Sequence, residues 1–324
     1  MRAIGYRKSS PELDHLKTFD IPRPTPDGRD LLVEVRAVSV NPVDYKVVSG
    51  GGPGASPDAD AIKVVGYDAA GVVAETGREA TLFKAGDEVF YAGSIGRQGA
   101  NMEFHLVDER IVGRKPRSLD FAAAAALPLT SITAWEAMFD RLDVLKPVPG
   151  AARAILILGG AGGVGSIAIQ LARQLTDLTV MATASRPETV QWAKDMGAHH
   201  VIDHKKPLTP QIAALGMGAP AFIFATAPVG GLFPDLAELI APQGRIALIN
   251  GETADLFVFR QKSVSIHFEL MFTRPLFQTA DIEGQHRLLN EVADLVDSGR
   301  GRSTKRDNYG RIDAANLMRA MRFL

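Results

Sequence analysis

Cysteine is absent from the chain. Its absence excludes disulfides, thiol nucleophiles and thiolate-held zinc, and leaves histidine and the carboxylates as the only strong metal ligands. Net charge is nearly absent too, since 36 Lys and Arg against 37 Asp and Glu leave a formal −1. That balance gives no electrostatic reason to expect nucleic acid or a membrane surface as a partner. No apolar run follows Met1-Arg2-Ala3-Ile4-Gly5-Tyr6-Arg7-Lys8, so a secretory leader is not expected and a cytoplasmic protein is. Internal repeats and low-complexity linkers are lacking as well. What is present is ordinary globular material: 46% hydrophobic residues over 324 positions suffice for two domains with real cores.

The chain is organised around Ile155-Leu156-Ile157-Leu158-Gly159-Gly160-Ala161-Gly162-Gly163-Val164-Gly165-Ser166. Residues 154–172 carry no charge, over roughly the ~20 positions a membrane-spanning helix needs. Five glycines within 159–165 make a continuous helix a poor reading. A buried strand, a glycine turn and a helix starting near Val164 fit better, and in that order they form a phosphate cradle. Gly160, Gly162 and Gly165 match G-x-G-x-x-G; Gly159, Gly162 and Gly165 match the shifted spacing G-x-x-G-x-x-G.

Context gives that motif its weight. Up to about Phe121 the chain reads as β-structure: 31–40, 70–75 and 87–91 are β-branched or alternating runs bounded by Gly and Asp turns. Gly50-Gly51-Gly52-Pro53-Gly54-Ala55-Ser56-Pro57 reads as a mobile loop. Helical stretches follow at 122–127, capped by Ser118 or Asp120, and at 130–139. Strands and helices then alternate: strands at 155–158, 178–182, 200–202, 221–225 and 245–250, helices at 165–176, 187–196 and 232–240. Such alternation implies a doubly wound parallel sheet, a Rossmann α/β domain. Beyond Gly251, 264–270 alternates like a strand, 284–298 is an amphipathic helix, and Asp313 caps a last helix at 314–323. The division expected is 1–124, 125–265 and 266–324, the last returning to the first domain.

Val40-Asn41-Pro42-Val43-Asp44, Gly66-Tyr67-Asp68-Ala69-Ala70-Gly71, Phe83-Lys84-Ala85-Gly86-Asp87-Glu88-Val89 and Ala126-Leu127-Pro128-Leu129-Thr130 precede the glycine loop. Gly197-Ala198-His199-His200-Val201-Ile202-Asp203-His204 follows it. With these landmarks in this order, the chain resembles the medium-chain dehydrogenase/reductase superfamily over essentially its whole length. Within it the chain is similar to the zinc-free quinone oxidoreductase branch and the bacterial proteins labelled zinc-type alcohol dehydrogenase-like. The resemblance implies a mainly β GroES-like catalytic domain, completed by the C-terminal segment, with the Rossmann domain inserted. Members usually close with a strand after the last helix; the resemblance implies that this strand is missing after Leu324.

In zinc-dependent members a Cys, a His and a second Cys hold the catalytic metal. By the resemblance these positions fall on Asn41, Tyr67 and Leu129, with Asp68 in place of the usual Glu, and 92–100 is too short for the structural-zinc lobe. Asn, Tyr and Leu cannot build a tetrahedral N/S site, so zinc is not expected. His199, His200 and His204 are close in sequence, but the resemblance puts them beside the cofactor's adenosine.

A Rossmann domain that prefers NAD places Asp or Glu at the end of its second strand. Val180-Met181-Ala182-Thr183-Ala184-Ser185-Arg186 has no acid before Glu188. Ser185 and Arg186 would instead bind a 2′-phosphate, which makes NADPH the expected cofactor. The other reading makes Arg186 a solvated helix-start residue of an enzyme that accepts both cofactors. The cofactor-binding candidates are thus Gly160, Gly162, Gly163, Val164, Gly165, Ser185 and Arg186. His204 joins them as an adenine or phosphate contact, or stays a surface histidine. Thr133 joins by family position at the nicotinamide amide, and Asn250 and Gly251 at a strand end on the nicotinamide side. Phe272-Thr273-Arg274 either closes over the cofactor or is a surface loop.

Without a metal, and with Val43 where relatives carry a relay hydroxyl, the acceptor must already be electrophilic. Quinones and α,β-unsaturated carbonyls fit, because positioning supplies much of the rate. Candidate catalytic groups are Tyr67 as a hydrogen-bond donor or a packed aromatic, and Asn41 as an amide donor or a turn residue. Tyr45 and Lys46 line the cleft in this reading, Lys46 as a proton donor; Asp44 organises its loop. An alcohol or aldehyde dehydrogenase and a non-catalytic NADPH-binding sensor are the alternatives. The partners expected are a small-molecule substrate and a second copy of the chain, paired through 264–270. Loops 49–60 and 92–102 would shape the substrate pocket.

Overall fold

Antiparallel strands dominate the first compact unit, residues 1–129 with 272–324, in the computed structural model, which describes residues 1–7, 15–50, 61–251 and 255–323. Residues 51–57 of the glycine-rich loop expected at 50–57, and most of 49–60, lie outside the described residues. Strands β1 (Arg2–Tyr6), β2 (Lys17–Asp20) and β4 (Lys63–Val64) form a small sheet in the order β2-β1-β4. A second sheet has β3 (Asp30–Ser39), β5 (Asp68–Thr76), β6 (Glu88–Tyr91), β7 (Phe104–Asp108) and β8 (Val112–Arg114) in the order β7-β3-β5-β6-β8. Alternate residues of β3, Leu31 and Val33, enter a core with Val73, Tyr91, Val107 and Val112. Leu32 between them is also fully buried, so this part of β3 is covered on both faces.

Helix α1 (Pro42–Val48) follows β3, and α2 (Phe121–Ala125) follows β8. Asp120 caps α2 by accepting from the Ala123 N–H at 2.6 Å, while Ser118 donates to Asp297 instead. The C-terminal segment, numbered after the helices described below, adds α8 (Thr273–Phe277), α9 (Gly284–Asp297) and α10 (Ala314–Met321) to this unit. On α9, Leu288, Leu289, Val292, Leu295 and Val296 make one buried stripe. That helix lies on β8, where a Cβ on Gly113 would stand 2.5 Å from the Leu289 Cβ. Only glycine lets strand and helix approach so closely.

The second unit, residues 130–271, is built on six parallel strands. They are β9 (Ala152–Leu158), β10 (Thr179–Thr183), β11 (His200–Ile202), β12 (Pro220–Ala225), β13 (Arg245–Leu248) and β14 (Ser265–Phe268), in the order β11-β10-β9-β12-β13-β14. This 3-2-1-4-5-6 order has its switch point between β9 and β12, where open α/β sheets bind ligands. Ile155, Leu156 and Ile157 are fully buried, which explains the uncharged run: a central parallel strand is covered on both faces. The connecting helices are α4 (Gly163–Leu175), α5 (Pro187–Asp195), α6 (Leu208–Ala213) and α7 (Phe233–Leu239). Among the described residues no helix is long and apolar enough to cross a membrane.

Two expectations shift. The helix expected over 130–139 is α3 (Pro128–Trp135), continued by a π-helical turn, Glu136–Arg141. Arg245 caps the end of that turn, donating to the carbonyls of Leu142, Asp143 and Lys146. The compact units change at 129/130 and 271/272 rather than 124/125 and 265/266. β14 pairs in parallel with β13 along its length and so stays with the second unit.

Candidate active site

In the second unit, β9 ends at Leu158 and the chain turns at Gly159, whose φ is +81°. The Gly159 N–H donates to the Thr183 hydroxyl at 2.9 Å and the Gly160 N–H to the Thr183 carbonyl at 3.1 Å, tying the turn to β10. A Cβ on Gly165 would overlap the Gly159 carbonyl oxygen, so α4 can begin across the turn only with glycine there. Gly162 is the N-cap, exposed like Gly163, and the nearest atom to a Cβ on it is the Gly159 oxygen at 3.3 Å. The first-turn N–H groups of Gly163, Val164 and Gly165 have no acceptor within the helix and carry its positive end. That is an anion site with room for backbone approach. The Thr130 methyl lies 3.1 Å from where a Gly163 Cβ would stand, so α3 runs past the cradle, with Thr133 buried on it.

The remaining cofactor candidates also sit at the C-terminal ends of parallel strands. Ala184 donates its N–H to the Ile202 carbonyl at 3.0 Å, so Ser185 and Arg186 leave β10 beside the end of β11, from which His204 follows. Arg186 is exposed and its Nε lies 3.1 Å from Glu188 Oε1, a solvent-screened pair of little energetic weight. Asn250 and Gly251 follow β13; Asn250 borders an apolar recess with Ala225, Leu248, Leu256 and Phe268. Thus the sheet collects at one end residues that are scattered in the sequence.

In the first unit, Asn41, Asp68 and Leu129 meet. Asp68 is fully buried; its Oδ2 accepts from Asn41 Nδ2 at 2.7 Å and its Oδ1 from the Leu129 N–H at 2.7 Å. Burial holds its carboxyl well above the usual range, against the pull of those two donors. Asp44 accepts from the Asn41 N–H at 2.7 Å and closes the first turn of α1. Burial pushes Asp44 up to about 7, opposed by the N–H groups of Asn41 and Gly66.

Tyr67 is 1% exposed and packs edge-on against Phe272, with ring centroids 5.2 Å apart. Its hydroxyl has no hydrogen-bond partner among the described residues. Burial, then the nearby Asp44, drives the phenol upward, so it stays protonated. Asn41 and Tyr67 are therefore brought together around Asp44 and Asp68. Tyr45 and Lys46 are not: on α1, Asp44, Val47 and Val48 face inward and these two face out, Tyr45 being 41% exposed. Asp68 as the hub was missed in the sequence; the available signal was a carboxylate inside an otherwise uncharged strand start, Tyr67-Asp68-Ala69-Ala70.

Comparison with known proteins follows this division. The family model described as alcohol dehydrogenase GroES-like domain matches residues 27–117, and the one described as zinc-binding dehydrogenase matches 163–288. A zinc-type alcohol dehydrogenase-like protein of Staphylococcus aureus (strain MSSA476) is 38% identical, covering 100% of this chain and 96% of its own. A 2-methylene-furan-3-one reductase of Solanum lycopersicum is 37% identical over 54% of this chain and 45% of its own. Among solved structures, a Rhizobium etli CFN 42 protein provisionally described as a zinc-dependent alcohol dehydrogenase has 62% identity and a TM-score of 0.96. The alignment covers 100% of this chain and 94% of that one. The Escherichia coli quinone oxidoreductase complexed with NADPH shares the fold, at 22% identity and TM-score 0.79 over 100% and 96% of the two chains.

The zinc that these descriptions carry does not fit the residues present. Both oxygens of Asp68 are taken by N–H donors, the Asn41 amide is tied to Asp68, Tyr67 is a buried phenol that stays protonated, and the Leu129 side chain offers only apolar atoms. Among the described residues no three His, Asp or Glu side chains are grouped to hold a metal ion.

Proposed function

The chain belongs to the medium-chain dehydrogenase/reductase superfamily, and on that premise we propose that it is an NADPH-dependent, zinc-independent reductase of quinones or α,β-unsaturated carbonyls. The superfamily makes it an oxidoreductase. The observation that carries the finer reading is the Asn41–Asp68–Leu129 network: two of the three positions that the resemblance assigns to metal ligands, Asn41 and Leu129, are tied by hydrogen bonds to Asp68, and the Leu129 side chain is no ligand at all. A site of that kind offers no Lewis acid to stabilise an alkoxide, so the acceptor must take hydride without one.

When bound, NADPH supplies the hydride. The cradle of Gly160, Gly162, Gly163, Val164 and Gly165 would hold its pyrophosphate. Ser185 and Arg186, with His204 beside them, would hold the 2′-phosphate, and Thr133, Asn250 and Gly251 the nicotinamide end. Tyr67 donates a hydrogen bond to the acceptor oxygen; with its phenol driven upward, it polarises that oxygen without surrendering its own proton. Asn41 positions the loop, its amide being spent on Asp68. Tyr45 and Lys46, which face out from α1, take no part in this reading, and the proton comes from solvent. The names of two relatives support this reading, one a reductase of 2-methylene-furan-3-one, the other a quinone oxidoreductase complexed with NADPH.

A screen of NADPH and NADH oxidation over quinones, enones and aldehydes tests it. NADPH consumption with quinones or enones is the expected result. Alcohol-dependent reduction of NADP⁺ would make the protein an alcohol dehydrogenase, and tight NADPH binding without turnover on any acceptor would make it a sensor. The proposed partner is a second copy, joined through 264–270 in the cytoplasm. The strand β14 there is the edge of its sheet, and Phe268 and Leu270 are exposed. Light scattering that finds a monomer at micromolar concentration would refute the dimer.

A further inference from the structure

One buried charged cluster in the second unit has no part in the reading above. Glu136 opens the π-helical turn after α3 and is fully buried. Glu269 directly follows β14 and is 4% exposed. Its Oε2 accepts from Arg141 Nε at 2.9 Å. Its Oε1 meets no N–H or O–H donor among the described residues; the remaining hydrogen-bonding group facing this side chain is the carboxyl of Glu136. Two ionised carboxylates are both acceptors and cannot hydrogen-bond. One proton between them turns the contact into a hydrogen bond and leaves Glu136, Glu269 and Arg141 with no net charge. Without it, two like charges would face each other away from water.

Among the described residues, the other charged or titratable groups beside the pair are engaged elsewhere, neutral or exposed. Arg245 on β13 is committed to backbone carbonyls. His267 on β14 is kept neutral, lowered by burial first and then by Arg141 and Arg245. Asp140, on the turn itself, is exposed.

We propose that Glu136 and Glu269 share one proton, and that this acid pair is a positioning device tying edge strand β14 to the helix that carries Thr130 and Thr133. Glu136 stands three residues after Thr133, and the start of the same helix abuts the cradle at Gly163. A displacement at the Glu136 end is therefore passed to Thr133. The role in binding rests on the NADPH reading. Burial, then the charge and hydrogen bond of Glu136, push Glu269 up to about 8 against the pull of Arg141, so the proton leaves just above neutrality. The sign follows: raising the pH creates the second buried charge and loosens the helix end, and cofactor affinity falls.

Fluorescence titration of NADPH from pH 7 to 9.5 on the full chain tests this, with circular dichroism confirming the fold at each pH. If only the protonated pair binds well, wild-type affinity falls about tenfold per pH unit above the transition. Glu269→Gln and, separately, Glu136→Gln keep a neutral partner and give a dissociation constant flat within twofold. Infrared difference spectra, wild type minus the double variant, should show a buried carboxylic-acid carbonyl band at pH 7 that is lost by pH 9.5; the subtraction removes Asp44 and Asp68, whose carboxyls are also raised. Tight NADPH binding at pH 7 that stays flat to 9.5 overturns the positioning role alone. No acid band in that difference at pH 7 overturns the shared proton. Failure to bind NADPH at pH 7 overturns the cofactor reading and the positioning role with it, while the band still decides the proton.

Discussion

Replacing Gly165 by alanine separates a packing role from a phosphate-binding role in the cradle. The new methyl would overlap the Gly159 carbonyl oxygen and stand 2.8 Å from the Gly160 Cα. Both are backbone atoms and cannot rotate aside, so the turn must open or α4 must retreat. Overpacking of this sort costs about 1–3 kcal/mol of stability. The same retreat carries the N–H groups of the first turn away from the pyrophosphate, and one lost charge-assisted hydrogen bond is worth about 1.5–3 kcal/mol, or roughly 10- to 100-fold in affinity. Gly162→Ala is the counterpart, because the closest atom to its methyl is at 3.3 Å and the position is exposed. It should weaken NADPH binding by crowding the phosphate while lowering the melting temperature less than Gly165→Ala does. The assay is NADPH fluorescence titration paired with thermal melting of both variants. Gly165→Ala that binds as tightly as wild type and melts at the same temperature would refute the reasoning. Equal loss of stability in both variants would refute the distinction between the two glycines.

Two further substitutions bear on the cofactor's phosphate and on the acceptor. Arg186→Ala should raise the dissociation constant of NADPH about tenfold, the scale of a partly exposed charge-assisted contact, and leave that of NADH within twofold; equal losses for both would remove Arg186 from the 2′-phosphate site. Tyr67→Phe should lower kcat about tenfold, as for loss of one oxyanion-type donor in a partly preorganised site, with melting unchanged because the hydroxyl has no protein partner to lose. An unchanged kcat would return Tyr67 to the role of a packed aromatic.

Much of the fold could be read from the sequence because the features that specify it are local. The uncharged run around Ile155 is a strand buried on both faces, and the apolar stripe on α9 shows in the spacing of Leu288, Leu289, Val292 and Leu295. The glycine pattern survives because each glycine answers a nearby atom, as Gly165 answers Gly159. What was not legible depends on partners distant in the chain. The strand at 265–268 alternates on its own, but nothing local says that it pairs with β13 and so belongs to the second unit. The widened turn at Glu136–Arg141 has the apolar spacing of an ordinary helix. At the candidate site, Asn41 and Tyr67 were singled out by their positions in the sequence, while the contact of Asp68 with them required seeing the Leu129 N–H brought against it. The Glu136 and Glu269 contact is of the same kind: no local pattern encodes which buried acid will face which.

The most direct test of metal-free hydride transfer is a zinc count on turnover-competent protein. Purified chain that oxidises NADPH with a quinone or an enone should contain far less than one zinc per chain, and a chelator should leave its rate unchanged. One zinc per chain, with turnover lost on its removal and restored on its return, would contradict the account.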